Sequence, residues 1–116
     1  MKRTTAVLVL AAALSLPLHA QQPRPPSREI AIESFAFTPT RLVVQQGDVI
    51  TWVNRDVVRH DATMLDRSGG TGPILSGATG SITATKPGTF EYMCCSRHPG
   101  MKGTIVVESP RPAPLG

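Results

Sequence analysis

The apolar pattern of this chain is short and strand-like throughout, and this constrains the fold more than any other feature. About seven short runs rich in β-branched and aromatic residues are separated by turns that contain Gly and Pro. No segment shows an apolar period close to that of an α-helix. The pattern therefore predicts an all-β sandwich, in which two sheets pack face to face and the loops collect at its ends.

The predicted strands differ in how strongly the sequence marks them. The first contains a bulge or bend near Ser34, and the third is strongly β-prone and carries Trp52, which is expected in the core. A long surface loop at 66–80 is expected to be pinned by Ile74 and Leu75. The strands are predicted at 29–37, 41–45, 49–54, 61–65, 81–85, 89–94 and 104–108.

The chain begins with a sequence typical of secretory signal peptides. Lys2 and Arg3 precede an apolar run at 6–16, and Ala20 ends a small-residue cleavage site. The apolar run is too short to span a bilayer comfortably, so cleavage after Ala20 is predicted and no membrane span is expected. The sequence therefore predicts a soluble exported protein, and the form of the signal favours the periplasm.

The rest of the chain predicts one small domain between two tails. The segments 21–28 and 110–116 are rich in Pro and are predicted to be a flexible leader and a flexible tail, which leaves a domain at 29–109. The whole chain has a formal charge of +4, and Lys2 and Arg3 leave with the signal. The remaining basic residues are scattered, which argues against nucleic acid as a partner.

A thiol, an imidazole and a thioether follow one another near the C-terminus. Cys95, His98 and Met101 are evenly spaced on a stretch that is predicted to be a loop between two strands. A short loop with this spacing can wrap three side chains around one point. Soft sulfur ligands with imidazole suit copper, and one Cys, two His and a weak axial Met describe a blue-copper electron-transfer site.

The other His and Cys residues fit the same hypothesis. Of the three histidines, His19 lies in the signal peptide, so His60 and His98 remain in the mature chain. Cys94 and Cys95 are neighbours, and their Cα atoms are about 3.8 Å apart, below the usual range of about 4.4–6.8 Å for a disulfide. An ordinary disulfide between them is therefore not expected, which favours a metal-binding role.

Three elements together resemble the small type 1 blue copper proteins, the amicyanin, pseudoazurin and plastocyanin group of cupredoxins. They are the run 51–56 followed by His60, the run 88–92, and the pattern Cys-x-x-His-x-x-Met-x-Gly at 95–103. The likeness covers about 30–108. It implies a cupredoxin-like Greek-key β-sandwich of about seven to eight strands. It also implies one copper ion, bound by His60, Cys95, His98 and Met101.

The identity of the Cys ligand is the point at which the chain departs from the family pattern. The family has one Cys two residues after the Tyr of the last long strand, and Cys94 fits that spacing after Tyr92. Cys95, however, fits the spacing to His98. Strand alternation favours Cys94, whereas the length of the ligand loop favours Cys95. We predict Cys95, because a bulge can absorb one residue at the end of a strand.

The resemblance implies a shuttle that carries single electrons between redox proteins and is not an enzyme. The partner is expected to be a cytochrome, a dehydrogenase or a copper enzyme, and a monomer is expected. The ring edge of His98 would be the electron exit, and a basic rim of Arg59, Arg97 and Lys102 would steer an acidic partner. The alternative is a copper carrier or storage protein, and its expected cluster of Met residues is missing from the sequence. An enzyme would need further histidines for a second metal, and a metal-free adhesive domain would leave the motif unexplained.

Overall fold

A computed structural model describes residues 28–95 and 98–110 of the chain. The predicted signal peptide at 1–20, nearly all of the predicted leader and the end of the predicted tail lie outside the described residues. The domain limits 29 and 109 therefore stay predictions. In the part of the chain that the structure describes, no helix is long and apolar enough to cross a membrane.

Within the described residues, eight strands form two sheets of four, which confirms the predicted all-β sandwich. The first sheet has the order β2-β1-β4-β6 and the second has the order β3-β8-β7-β5. Most neighbours are antiparallel, but β1 pairs in parallel with β4, and β3 pairs in parallel with β8. The strands are β1 (Arg28–Glu33), β2 (Ala36–Thr38), β3 (Arg41–Gln45), β4 (Val49–Asn54), β5 (Thr63–Met64), β6 (Thr79–Thr83), β7 (Gly88–Cys94) and β8 (His98–Glu108).

The core lies between the two sheets and is centred on aromatic side chains. Trp52 on β4 and Tyr92 on β7 are fully buried, and their rings meet edge to face with centroids 5.4 Å apart. Phe37 on β2 packs against the same tyrosine, with ring centroids 4.7 Å apart. The prediction that Trp52 is a core residue is therefore confirmed. Because alternate residues of a strand face the same side, the apolar positions of β1 and β4 fill the same layer.

The long strand predicted at 29–37 is a hairpin. β1 and β2 are antiparallel, with Glu33 opposite Ala36, so Ser34 and Phe35 form a turn of two residues. The sequence carries no Gly or Asn at these two positions, which is why the pattern indicated only a bend.

Ile74 and Leu75 were both predicted to anchor the long loop at 66–80. The prediction is confirmed for Ile74, which is buried, and is wrong for Leu75, which is 63% exposed.

The stretch that was predicted to be a ligand loop belongs largely to a strand. β8 begins at His98, so His98 and Met101 both lie on it, and it pairs with β7 on one side. The pairing is irregular between Met93 and Cys94, and Cys94 is opposite His98.

Gly103 on β8 lies opposite Tyr92, and a Cβ atom at this glycine would overlap the tyrosine ring. This close approach explains a glycine in the middle of a strand.

Candidate metal centre

His60 is held by backbone pairing at the end of the loop that follows β4. Its amide donates to the carbonyl of Ile74 at 3.1 Å, and its carbonyl accepts from the amide of Ile74 at 2.7 Å. This isolated bridge places His60 beside the long loop that was predicted at 66–80. The imidazole is fully buried. The bridge therefore fixes the backbone of the first predicted ligand without a regular strand.

The loop before His60 is organised by the buried side chain of Asn54. Its Nδ2 donates to the carbonyls of Val58 at 2.8 Å and Ile74 at 2.9 Å. Its Oδ1 accepts from the amide of Asp56 at 3.0 Å. Asn54 therefore satisfies backbone groups that the loop would otherwise bury unpaired. This gives a physical role to the Asn-x-Asp sequence before His60.

The two ring nitrogens of His60 have different neighbours. Nε2 lies 2.7 Å from Oδ2 of Asp56, and Nδ1 lies 3.8 Å from Sγ of Cys94. A hydrogen bond that holds the proton on one ring nitrogen leaves the other nitrogen as a donor for a metal ion. The contact with Asp56 therefore suits a tautomer in which Nδ1 faces the thiol with its lone pair.

The carboxyl group of Asp56 is kept ionised by its surroundings. Desolvation tends to raise its pKa, but hydrogen bonds from the Phe35 amide, the His60 ring and the Ser34 amide together lower the pKa of Asp56 below its ordinary value of 3.8. An ionised carboxylate is the form that accepts a hydrogen bond from an imidazole. Asp56 is thus suited to orient the ring of His60.

Cys94, and not Cys95, is the cysteine in contact with His60. Cys94 ends β7 and is fully buried, whereas Cys95 is exposed. The amide of Cys95 donates to Oδ1 of Asp61 at 2.8 Å, and the same oxygen accepts from the hydroxyl of Thr63 at 3.0 Å. The structure therefore places Cys94 beside His60, whereas Cys95 is the ligand that the sequence predicts. The physical reason is that strand alternation continues to the end of β7 and turns Tyr92 and Cys94 inward together.

His98 and Met101 both lie at the start of β8. The ring centroids of His60 and His98 are 5.2 Å apart. His98 is half-buried, whereas Met101 is 4% exposed and belongs to the same apolar cluster as Cys94. Lys102, next along the strand, is exposed because alternation turns it outward.

The donor set suits a soft metal ion better than a hard one. Among the described residues, no three His, Cys, Asp or Glu side chains are close enough together to hold a metal ion by themselves. The buried Nδ1 and Sγ of His60 and Cys94 face each other at 3.8 Å, with a second imidazole and a buried thioether nearby. Thiolate, imidazole and thioether donors are the ligands that copper prefers in electron-transfer sites.

Two further residues beside the site were not singled out as functional by the sequence. Asp56 was noticed only as part of the turn before His60, although its spacing of four residues from that histidine was a usable signal. Phe35 was assigned to a strand. Its ring lies edge-on to both imidazoles, with centroids 5.4 Å from His60 and 4.8 Å from His98. No local pattern connects it with residues so distant in sequence.

Comparison with known proteins gives a consistent result. The family model described as a cupredoxin-like domain matches residues 5–107. Amicyanin-alpha from Methylorubrum extorquens is 34% identical over 87 residues, which cover 71% of this chain and 72% of the relative. Amicyanin from Paracoccus denitrificans is 33% identical over 84 residues. The matched residues cover 68% of this chain and 63% of the Paracoccus protein, which is less than two thirds of that relative's length.

Solved structures with the same fold include several forms of amicyanin. A Cu(I) form of a methionine-to-alanine mutant of amicyanin has a TM-score of 0.66 and 26% identity, and the match covers 71% of this chain and 82% of that one. An oxidised methionine-to-leucine mutant has a TM-score of 0.65, with the same identity and coverage. The fold, the family model and these relatives agree with the donor set described above. The chain belongs to the cupredoxin-like family, within its group of small blue copper proteins.

Proposed function

We propose that this protein binds one copper ion in a type 1 site and carries single electrons between redox partners outside the cytoplasm. The observation that carries the proposal is the buried pair of His60 Nδ1 and Cys94 Sγ, 3.8 Å apart at one end of a cupredoxin sandwich. Cu(I) and Cu(II) both accept such a ligand set, so copper supplies one-electron chemistry there. Membership of a family of electron carriers favours this function over copper transport or storage.

The proposed ligands are His60, Cys94, His98 and Met101. Cys94 replaces the sequence-based choice of Cys95 because its side chain is buried beside His60, whereas that of Cys95 faces solvent. Met101 is the proposed weak axial ligand, which helps to set the reduction potential. The sequence offers no Met-rich cluster of the kind that a copper carrier would use, since Met64, Met93 and Met101 are spread along the chain.

The chain's own residues would keep the ligands in place as the charge of the site changes. Asp56 holds the ring of His60 through Nε2 at 2.7 Å, and the bridge to Ile74 fixes its backbone. Asp61 holds the chain just after Cys94 through the amide of Cys95 at 2.8 Å. Such supporting contacts orient metal ligands. A site held in this way needs little rearrangement when an electron enters or leaves.

The proposed route for the electron is the half-buried ring of His98. It is the less buried of the two imidazoles, since His60 is completely enclosed. Arg59 and Lys102 are exposed and adjoin the proposed ligands His60 and Met101 in sequence, and Arg97 lies outside the described residues. Positive side chains near the exit favour an acidic redox protein as the partner. Electron-transfer rates with such a partner should then fall as ionic strength rises.

We also propose that the protein catalyses no reaction and that it is located in the periplasm. Amicyanin relatives are electron carriers, and the proposed metal site takes both histidines of the mature chain. The predicted signal peptide and the periplasmic relatives support export. A cytochrome, a dehydrogenase or a copper enzyme would be a suitable partner, and the shuttle is proposed to act as a monomer.

An absorption and electron paramagnetic resonance spectrum of the Cu(II)-loaded exported protein tests the function. An intense visible band from thiolate to copper, with narrow copper hyperfine splitting, is the expected result. A colourless sample, or one with ordinary copper parameters, would overturn the type 1 site. The proposed function would also fail if the loaded protein showed the band but could not be reduced and reoxidised reversibly.

A further inference from the structure

The turn between β1 and β2 has a backbone that its residues do not favour. Ser34 has a φ of 53° and Phe35 a φ of 59°, so both lie in the left-handed region. Hairpin turns of two residues with positive φ at both positions favour Asn and Gly, and a bulky residue there is uncommon. Local turn chemistry therefore does not explain the aromatic ring. A conformational outlier of this kind is a reason to look for a function.

The ring of Phe35 lies against both histidines of the site. Its centroid is 4.8 Å from that of His98 at an interplanar angle of 72°, and 5.4 Å from that of His60 at 90°. Phe35 is nevertheless 50% exposed. One part of its surface therefore contacts the imidazoles while another part faces solvent. A ring in this position limits the approach of solvent molecules to the histidine pair.

The carboxylate of Asp56 connects this turn to the site. Oδ1 accepts from the amide of Ser34 at 2.7 Å, and Oδ2 accepts from the amide of Phe35 at 3.0 Å. The same Oδ2 lies 2.7 Å from Nε2 of His60. One side chain thus fixes both the unfavoured turn and the ring of His60. The position of Phe35 over the histidines is set by these three contacts.

We propose that Asp56 positions Phe35 as a cover over the His60 and His98 rings, and that this cover excludes small anions and solvent. The part that concerns a bound metal rests on the proposed function, whereas the covering of the histidines does not. A water-excluding shell around a metal site controls the access of exogenous ligands as well as the potential. Phe35 would therefore determine which small molecules reach the site, with Asp56 as a positioning residue that acts through it.

The first test uses the metal-free full chain, so it does not depend on copper. Diethyl pyrocarbonate modifies accessible imidazoles, and peptide mass spectrometry at fixed pH gives the rate for each histidine. Phe35→Asn is the informative variant because Asn tolerates positive φ. It should raise the modification rate of His98 several-fold and leave the melting temperature unchanged or higher. Phe35→Tyr, which keeps the ring, should react as slowly as the wild type.

Val57→Asn is a matched control for loss of an exposed apolar side chain. Val57 is 92% exposed on the loop that precedes His60, and its replacement should leave the rate at His98 unchanged. An unchanged rate at His98 in Phe35→Asn would overturn the cover. A marked fall in melting temperature in both Phe35→Asn and Phe35→Gly would also overturn it, because the ring would then serve folding. If Phe35→Asn does not fold, Phe35→Gly gives the same readout with equal tolerance of the turn.

A double-mutant cycle separates positioning by Asp56 from a merely structural role. Asp56→Ala alone should raise the rate at His98, since the turn loses both of its carboxylate contacts. If Asp56 acts through Phe35, adding Phe35→Asn to Asp56→Ala should give no further increase, because the two residues are coupled. Rates that multiply in the double variant would contradict positioning. Asp56→Glu, which keeps the carboxylate, should partly restore the slow rate.

A second arm uses the copper-loaded protein with azide as the probe anion. Azide should alter the visible spectrum of the Phe35→Asn variant at concentrations that leave the wild type and Phe35→Tyr unchanged. Equal azide sensitivity in all three proteins would overturn the exclusion of anions. If the protein binds no copper, the proposed function fails, but the modification rates of the metal-free protein still decide whether Phe35 covers the histidines.

Discussion

Oδ1 of Asp61 accepts a hydrogen bond from the backbone amide of Cys95 at 2.8 Å. Asp61 follows His60 directly, and Cys95 follows Cys94, so this bond joins the residues that come immediately after two proposed ligands. Asp61 is 7% exposed, and the same oxygen also accepts from the hydroxyl of Thr63. The pair therefore fixes the end of β7 against the loop that carries His60.

Replacement of Asp61 should weaken the fold because it removes this acceptor. Asp61→Ala should lower the free energy of unfolding of the metal-free protein by about 1–3 kcal/mol, since each of the two lost hydrogen bonds contributes about 0.5–1.5 kcal/mol. Asp61→Asn retains a side-chain oxygen and should lose clearly less. Urea denaturation curves of the three proteins give the comparison. Equal stability of the Ala variant and the wild type would contradict a structural role for the bond.

The two cysteines should respond differently to the same substitution. Cys94→Ser removes the proposed thiolate ligand, so the Cu(II)-loaded protein should lose its intense visible band. Cys95→Ser should keep that band, since its side chain is exposed. Both variants change one sulfur to one oxygen, so each is the control for the other. Loss of the band only in Cys95→Ser would restore the assignment that was made from the sequence.

Tyr92 should ionise at a higher pH in the folded protein than in the unfolded chain. Burial raises the pKa of Tyr92 from 10.0 to about 12, and Trp52 opposes the shift. Because the folded pKa is raised, this contribution to stability is fully present below about pH 10 and is lost as pH rises towards 12. The chain has one Tyr, so tyrosinate absorbance in the ultraviolet reports this group alone.

A matched experiment uses the Tyr92→Phe variant. Its stability should depend less on pH in the same alkaline range, because the ionising group is gone. The wild type in denaturant should titrate near the ordinary value of 10.0. A folded protein that titrated at that same pH would show that the ring is open to solvent.

Two glycines on β8 should differ sharply in their tolerance of a methyl group. Gly103→Ala should lower the free energy of unfolding by about 1–3 kcal/mol, since overpacking a filled core has roughly this cost and the new Cβ meets the ring of Tyr92. At Gly100 no heavy atom lies within 4 Å of a built Cβ. Gly100→Ala should therefore be close to neutral. Similar denaturation midpoints for the two variants would contradict the close approach at Gly103.

The sequence alone determined the fold class and the region of the site. Short alternating runs with Gly and Pro turns specify strands because the period of side-chain direction in a strand is two residues, and the buried faces of β1 and β4 follow that pattern. The spacing of His98 and Met101 after the cysteines, with His60 upstream, also predicted these three residues as metal ligands. The donor types alone indicated copper.

Only the tertiary structure decided which cysteine faces His60 and what surrounds the pair. Strand alternation favoured Cys94 as the ligand, whereas the length of the ligand loop favoured Cys95. Which side chain faces His60 depends on the pairing of β7 with β8 and on the hydrogen bond that Asp61 accepts from the Cys95 amide. The placement of Phe35 over the histidines depends on Asp56, more than twenty residues away in the chain. Contacts between residues so far apart in sequence leave no local pattern, because they exist only after the sheets have packed.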